Sequence, residues 1–92
     1  MSLDTQYLKD PSAVLDWSFD WTDWLAIDET IITHTVTADT GITVDSSDEK
    51  AGFVTVWLSG GTAGENYKVA CLITTSANRT DERTIWIKVT NR

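Results

Sequence analysis

Ninety-two residues leave room for one thin-cored domain, since a chain of this size buries only about 60–70% of the surface its unfolded form exposes. An apolar fraction of 41% with 23% charged residues fits a folded soluble domain and excludes a disordered one. No apolar run approaches the roughly 20 residues that span a bilayer, residues 1–4 lack the basic start of a signal peptide, and a net charge of −7 argues against nucleic acid or an anionic membrane as partner.

In chain order, residues 1–8 are expected to form a flexible N-terminal segment, of which residues 1–3 read as a cloning remnant. Residues 14–21 alternate cleanly: Leu15, Trp17, Phe19 and Trp21 share one face, and Asp16, Ser18 and Asp20 the other, the period of a half-buried strand. Residues 24–27 read either as a short extra strand or, with residues 21–23, as one helical turn. Residues 30–38 set Ile32, His34, Val36 and Ala38 against Thr33, Thr35 and Thr37, with a bulge expected near Ile31-Ile32. Residues 42–45 form a short strand with Ile42 and Val44 inward, followed by a turn over 46–50. Residues 53–59 turn Val54, Val56 and Leu58 inward and Phe53 and Trp57 outward. Residues 67–75 group Tyr67, Val69, Cys71 and Ile73. Residues 84–90 group Ile85, Ile87 and Val89 inward and leave Trp86 and Lys88 outward.

Six such strands, seven if 24–27 adds one, are rich in Val, Ile, Thr and Trp and separated by turn residues at short intervals. This is the pattern of an all-β sandwich or barrel. The stretch from Leu58 through Gly60, Gly61 and Gly64 to Tyr67 favours the sandwich. It matches the corner before the penultimate strand of immunoglobulin-like domains, where a Tyr hydroxyl bonds upstream backbone and glycines supply the backbone freedom. The expected architecture is a single immunoglobulin-like antiparallel β-sandwich domain over residues 9–92.

Little in the chain carries chemistry. Cys71 is the single cysteine, so no intrachain disulfide and no cysteine-based zinc site can form, and a reducing compartment is implied. His34 is the single histidine and reads as a packed or rim residue. No Gly-x-Ser-x-Gly elbow is present, and Gly60-Gly61-Thr62-Ala63-Gly64 lacks the Lys-Ser/Thr of a phosphate-binding loop. Asp16, Asp20, Asp23, Asp28 and Glu29 lack the spacing of a calcium loop and read as a solvated acidic face. The sequence therefore assigns no catalytic residue, no cofactor and no metal.

Recognition is the better prospect. The chain holds five tryptophans, of which Trp17 and Trp21 fit the core phase. Trp57 and Trp86 face away from the apolar side of their strands, and Trp24 lies in a connection. With Arg79 and Arg83 of the polar loop over 76–83, these form the candidate interface: Trp24, Trp57, Trp86, Arg79 and Arg83. A sugar-stacking platform, and hence a small carbohydrate-binding module, is the alternative use of outward Trp rings. Charge is also divided: residues 1–49 carry −10 and residues 50–92 carry +3, so the acidic part of one molecule can meet the basic part of another.

The residues also carry a family likeness. Lys9-Asp10-Pro11, then Val14-Leu15-Asp16-Trp17, Asp20-Trp21 and Trp24-Leu25, resemble the opening of small tailed-bacteriophage and prophage fibre-tail adaptor proteins. Val56-Trp57-Leu58-Ser59-Gly60-Gly61-Thr62 with Gly64 and Tyr67 is similar to that family's central signature. Ile73-Thr74-Thr75-Ser76, Arg79 and Asp81-Glu82-Arg83 are similar to its end. The chain departs from the pattern at Val36, where the family has a further Trp, and at Cys71. The resemblance implies a non-enzymatic structural component of the virion, assembled in the bacterial cytoplasm. Its partners would be other tail or fibre proteins and copies of itself, with neither nucleic acid nor membrane among them.

Overall fold

The computed structural model describes residues 5–91. Seven strands and no helix occur among them: β1 (Thr5–Lys9), β2 (Leu15–Asp20), β3 (Ile31–Ala38), β4 (Ile42–Lys50), β5 (Phe53–Gly60), β6 (Asn66–Thr75) and β7 (Thr80–Val89). They form two sheets, ordered β1-β7-β6-β3 and β2-β5-β4. Lettered A to G in chain order, the sheets read A-G-F-C and B-E-D. This is the immunoglobulin constant-type order, with the first strand moved to the sheet of the last. Every pairing is antiparallel except β1 with β7, where Thr5–Lys9 runs parallel to residues 85–89.

Period-2 alternation decides what lies between the sheets. Val54, Val56 and Leu58 of β5 and Val69, Cys71 and Ile73 of β6 are wholly buried, and Ile87 and Val89 of β7 complete the core with Phe19, Trp21 and Tyr67. β5, β6 and β7 are each flanked on both sides by hydrogen-bonded strands, so their inward side chains are enclosed between the two sheets.

Several expectations meet a different structure. Residues 5–8 of the expected flexible segment run in β1, and residues 1–4, including the supposed cloning remnant, lie outside the described residues. The extra strand is therefore β1. Residues 24–27 do not form one: Trp24 and Leu25 both donate their N–H to the Trp21 carbonyl at 3.0 Å, which makes a single helical turn. The fourth strand continues to Lys50 instead of stopping at Asp45, because Ser46–Lys50 pair with β5 as a hydrophilic edge strand. The reversal moves to Ala51-Gly52, both at positive φ (53° and 89°), as a two-residue type I′ hairpin requires. The expected bulge between Ile31 and Thr33 is present; it buries Ile31 and turns Ile32 out to solvent. Leu15, at the end of β2, is exposed despite its apolar phase.

Candidate functional site

The loop end of the sandwich gathers residues from three distant parts of the chain. Glu29 sits just before β3, and Arg79 just before β7, and the sandwich brings them together. Arg79 donates to Glu29 through two groups, Nη2 to Oε1 at 2.5 Å and Nε to Oε2 at 2.9 Å. The Thr75 hydroxyl also donates to Oε2, and the Ala26 amide to Oε1 at 2.9 Å. Glu29 is thus a buried, fully engaged carboxylate. The Arg79 guanidinium first, then the Thr75 hydroxyl and the Ala26 amide, lower its pKa to about 2. It leaves the solvated acidic set in which its spacing placed it. The same guanidinium lies 4.0 Å from the Trp24 ring centroid and donates from Nη2 to the Trp24 carbonyl.

Arg83, four residues further along the chain in β7, is held in the same manner. Its guanidinium covers the buried Trp21 ring at 4.2 Å, and Nη1 donates to the Asp20 carbonyl. Trp21 meets Trp24 edge-on at 5.4 Å, so the two arginines and two indoles form one stack. The Trp21 indole N–H finds no hydrogen bond of regular geometry; it faces the Cys71 sulfur, a weak acceptor. Of the five candidate interface residues, Trp24, Arg79 and Arg83 are therefore partners of one another and of the core.

At the opposite end lies the corner. Tyr67 Oη accepts the Thr62 N–H at 2.9 Å, five residues upstream. Its ring fits because Gly41 and Gly61 flank it: a Cβ on Gly41 would come 2.8 Å from Tyr67 Cε1, and one on Gly61 would come 2.6 Å from Val89 Cγ2. Gly61 also needs its φ of +97°. Beside the corner the wholly buried Lys9 donates from Nζ to the Gly60 carbonyl at 2.7 Å and the Asp10 carbonyl at 2.9 Å. Burial lowers its pKa, and Asp10 and Asp45 oppose that shift.

Trp57 and Trp86 stand apart on opposite outer faces. Trp57 is 43% exposed on the β2-β5-β4 face, between Asp16 and Ser46 in register. Trp86 is half-buried on the other face, between Gln6 and Lys68. Two rings on opposite faces cannot form one sugar platform, and Trp24 is capped by Arg79, so the carbohydrate alternative is not favoured. His34 is half-buried and pairs with Ser47 Oγ at 3.3 Å, linking β3 to β4. A hollow of about 510 Å³ beside the Glu29 cluster is lined by Leu25, Ile31 and Gly52 among others. Its two carboxylates are already committed, Glu29 to Arg79 and Glu49 to the Gly52 amide.

A sequence-family model described as podophage GP4 fibre-tail adaptor protein gp77 matches residues 9–88. The chain belongs to that family. No curated protein matches it. The matched span covers β2 to β7 nearly to their end, and includes the corner, the Glu29–Arg79 cluster and both outward tryptophans. A fibre-tail adaptor is a structural part of a phage, and an all-β sandwich with well-populated outer faces is suited to that role. Two features of this adaptor were not visible as such in its sequence: the burial of Glu29 and of Lys9. The only available signals were Glu29 directly ahead of an apolar strand and Lys9 directly ahead of Asp10-Pro11, and neither distinguishes a buried charge from a solvated one.

Proposed function

We propose that the chain joins tail and fibre proteins of a podophage particle through protein–protein contacts made by its sheet faces, with no catalytic step. The family match over residues 9–88 carries this reading. The geometry supports it. The arginines and Trp24 brace the fold, which leaves Trp57 as the exposed anchor, with Trp86 on the opposite face as the second contact. Residues 5–91, with β1 part of the four-stranded sheet, act as one module, folded in the host cytoplasm and then built into the virion.

The test is particle assembly. Virions built with Trp57→Ala or Trp86→Ala chains are examined for fibre content by electron microscopy and for attachment to host cells. Loss of fibres from an otherwise intact tail, with each purified variant still folded, is expected. Full fibre occupancy in both variants would overturn the assignment of these faces.

A further inference from the structure

The two outer faces match each other. On the β2-β5-β4 face, the Trp57 rung holds Asp16 on β2 and Ser46 on β4; four residues away, the Phe53 rung holds Asp20 and Lys50. Asp48 lies between them beside Thr55, and Asp45 bonds Ser59 at the Trp57 end. Trp57 and Phe53 are 43% and 40% exposed. On the β1-β7-β6-β3 face, the Trp86 rung holds Lys68 with Lys88 two residues on; four residues back, the Glu82 rung holds Leu72, itself 39% exposed. Asp39 caps the Lys68 amide at the margin of this face.

Four residues of strand span about 13 Å on either face. The spacing of unlike features is therefore the same: acid-flanked Trp57 against lysine-flanked Trp86 at one end, and Phe53 with Lys50 against Leu72 with Glu82 at the other. The first face sets Asp16, Asp20, Asp45 and Asp48 against Lys50 alone, so a copy laid on itself there meets net like charge.

We propose that the acidic β2-β5-β4 face of one copy docks on the Lys68–Trp86–Lys88 face of a second copy. The contact is heterologous, so a docked pair still presents one free face of each kind, one on each molecule, to further copies. The β2-β5-β4 face, of six-, eight- and nine-residue strands, measures roughly 26 Å by 14 Å, below a standard specific interface and in the range of weak, transient contacts. Association is accordingly weak between isolated molecules and salt-sensitive.

Sedimentation of the purified full chain, from micromolar to millimolar and at low and high salt, tests this. Concentration-dependent association that fades in high salt is expected. The double variant Asp16→Lys/Asp48→Lys and the double variant Lys68→Glu/Lys88→Glu should each lose affinity by roughly tenfold or more, while an equimolar mixture of the two regains it. All four substitutions are at exposed positions, and unchanged circular dichroism and melting temperature verify folding. A wild-type chain that stays monomeric at millimolar concentration and low salt overturns the proposal, even if the acidic face then proves to bind a tail protein. So does association lost in the aspartate variant but intact in the lysine variant, because that face would then be docking on itself. So does a mixture that remains monomeric.

Discussion

Arg79 and Glu29 meet through two parallel N–H donors although fifty residues separate them, and the guanidinium that holds the carboxylate also covers Trp24. One side chain therefore pins the segment before β3 to the segment before β7 and seals the indole stack. The pairing makes stability depend on pH. The folded chain keeps Glu29 ionised down to about 2, against an ordinary value of 4.5. Between those values the unfolded chain takes up a proton that the folded one does not. The contribution is thus fully present above about pH 4.5 and is lost as pH falls toward 2. Asp20, whose pKa the Thr22 hydroxyl and amide lower, acts in the same direction. Urea midpoints measured from pH 7 to pH 2 should fall steeply through this window in the wild type. In Glu29→Gln they should start lower and fall less steeply; identical slopes would show that Glu29 is not the titrating group.

The corner gives a second, independent measure. Tyr67→Phe removes the acceptor of the Thr62 N–H and keeps the ring, so it should cost about 1–2 kcal/mol, or several degrees in Tm for a domain of this size. Gly61→Ala should cost more, because its Cβ would overlap Val89 and its backbone would remain at positive φ. A Gly61→Ala chain as stable as Tyr67→Phe would mean that the loop shifts easily and the corner is not fixed by this contact.

The five residues singled out as an interface divide by what each touches. Trp24→Ala opens the stack under Arg79 and should cost about 2–4 kcal/mol. Arg83→Ala uncovers Trp21 and frees the Asp20 carbonyl, and should cost about 1–2 kcal/mol. Trp57→Ala removes a ring already 43% exposed and should change stability by no more than about 1 kcal/mol. Chemical denaturation of the three variants orders them. If Trp57→Ala proves the most damaging, that ring is covered within the fold and is not an anchor for a partner.

This division shows how far the sequence could be read. Strand phase was legible wherever an apolar residue recurs every second position, so the outward turn of Trp57 and the inward turn of Val54, Val56 and Leu58 follow from alternation alone. The latter half of β4 was not, because Asp45-Ser-Ser-Asp-Glu-Lys50 is an edge strand with almost no apolar side chain and reads like a loop. β1 was hidden for a related reason: five residues, Thr-Gln-Tyr-Leu-Lys, give too short a pattern, and its partner β7 lies at the far end of the chain. The Glu29–Arg79 pair and the buried Lys9 depend on contacts fifty residues apart or more, which local spacing does not encode. Arg79 was named from the sequence as a residue of the polar loop in the candidate interface; in the fold it pairs with Glu29 and covers Trp24 of its own chain.

Cys71 tests the core itself. Its thiol is wholly buried at the centre of β6, and burial pushes its pKa up to about 11, with the facing Trp21 indole and Arg83 opposing the shift. While it stays buried, only about one such thiol in a thousand is a thiolate at pH 8, and exposure to water relieves the shift. Alkylation of the native chain must therefore wait for an opening that exposes β6. Both neighbours of β6, β3 and β7, would have to part from it, which is close to global unfolding. Iodoacetamide should leave the native chain unlabelled over an hour and label it fully in concentrated urea. The opening free energy derived from slow native-state labelling should equal the unfolding free energy from urea titration. Rapid labelling in buffer, with an opening energy well below the global value, would show that the sandwich opens locally at β6 without unfolding.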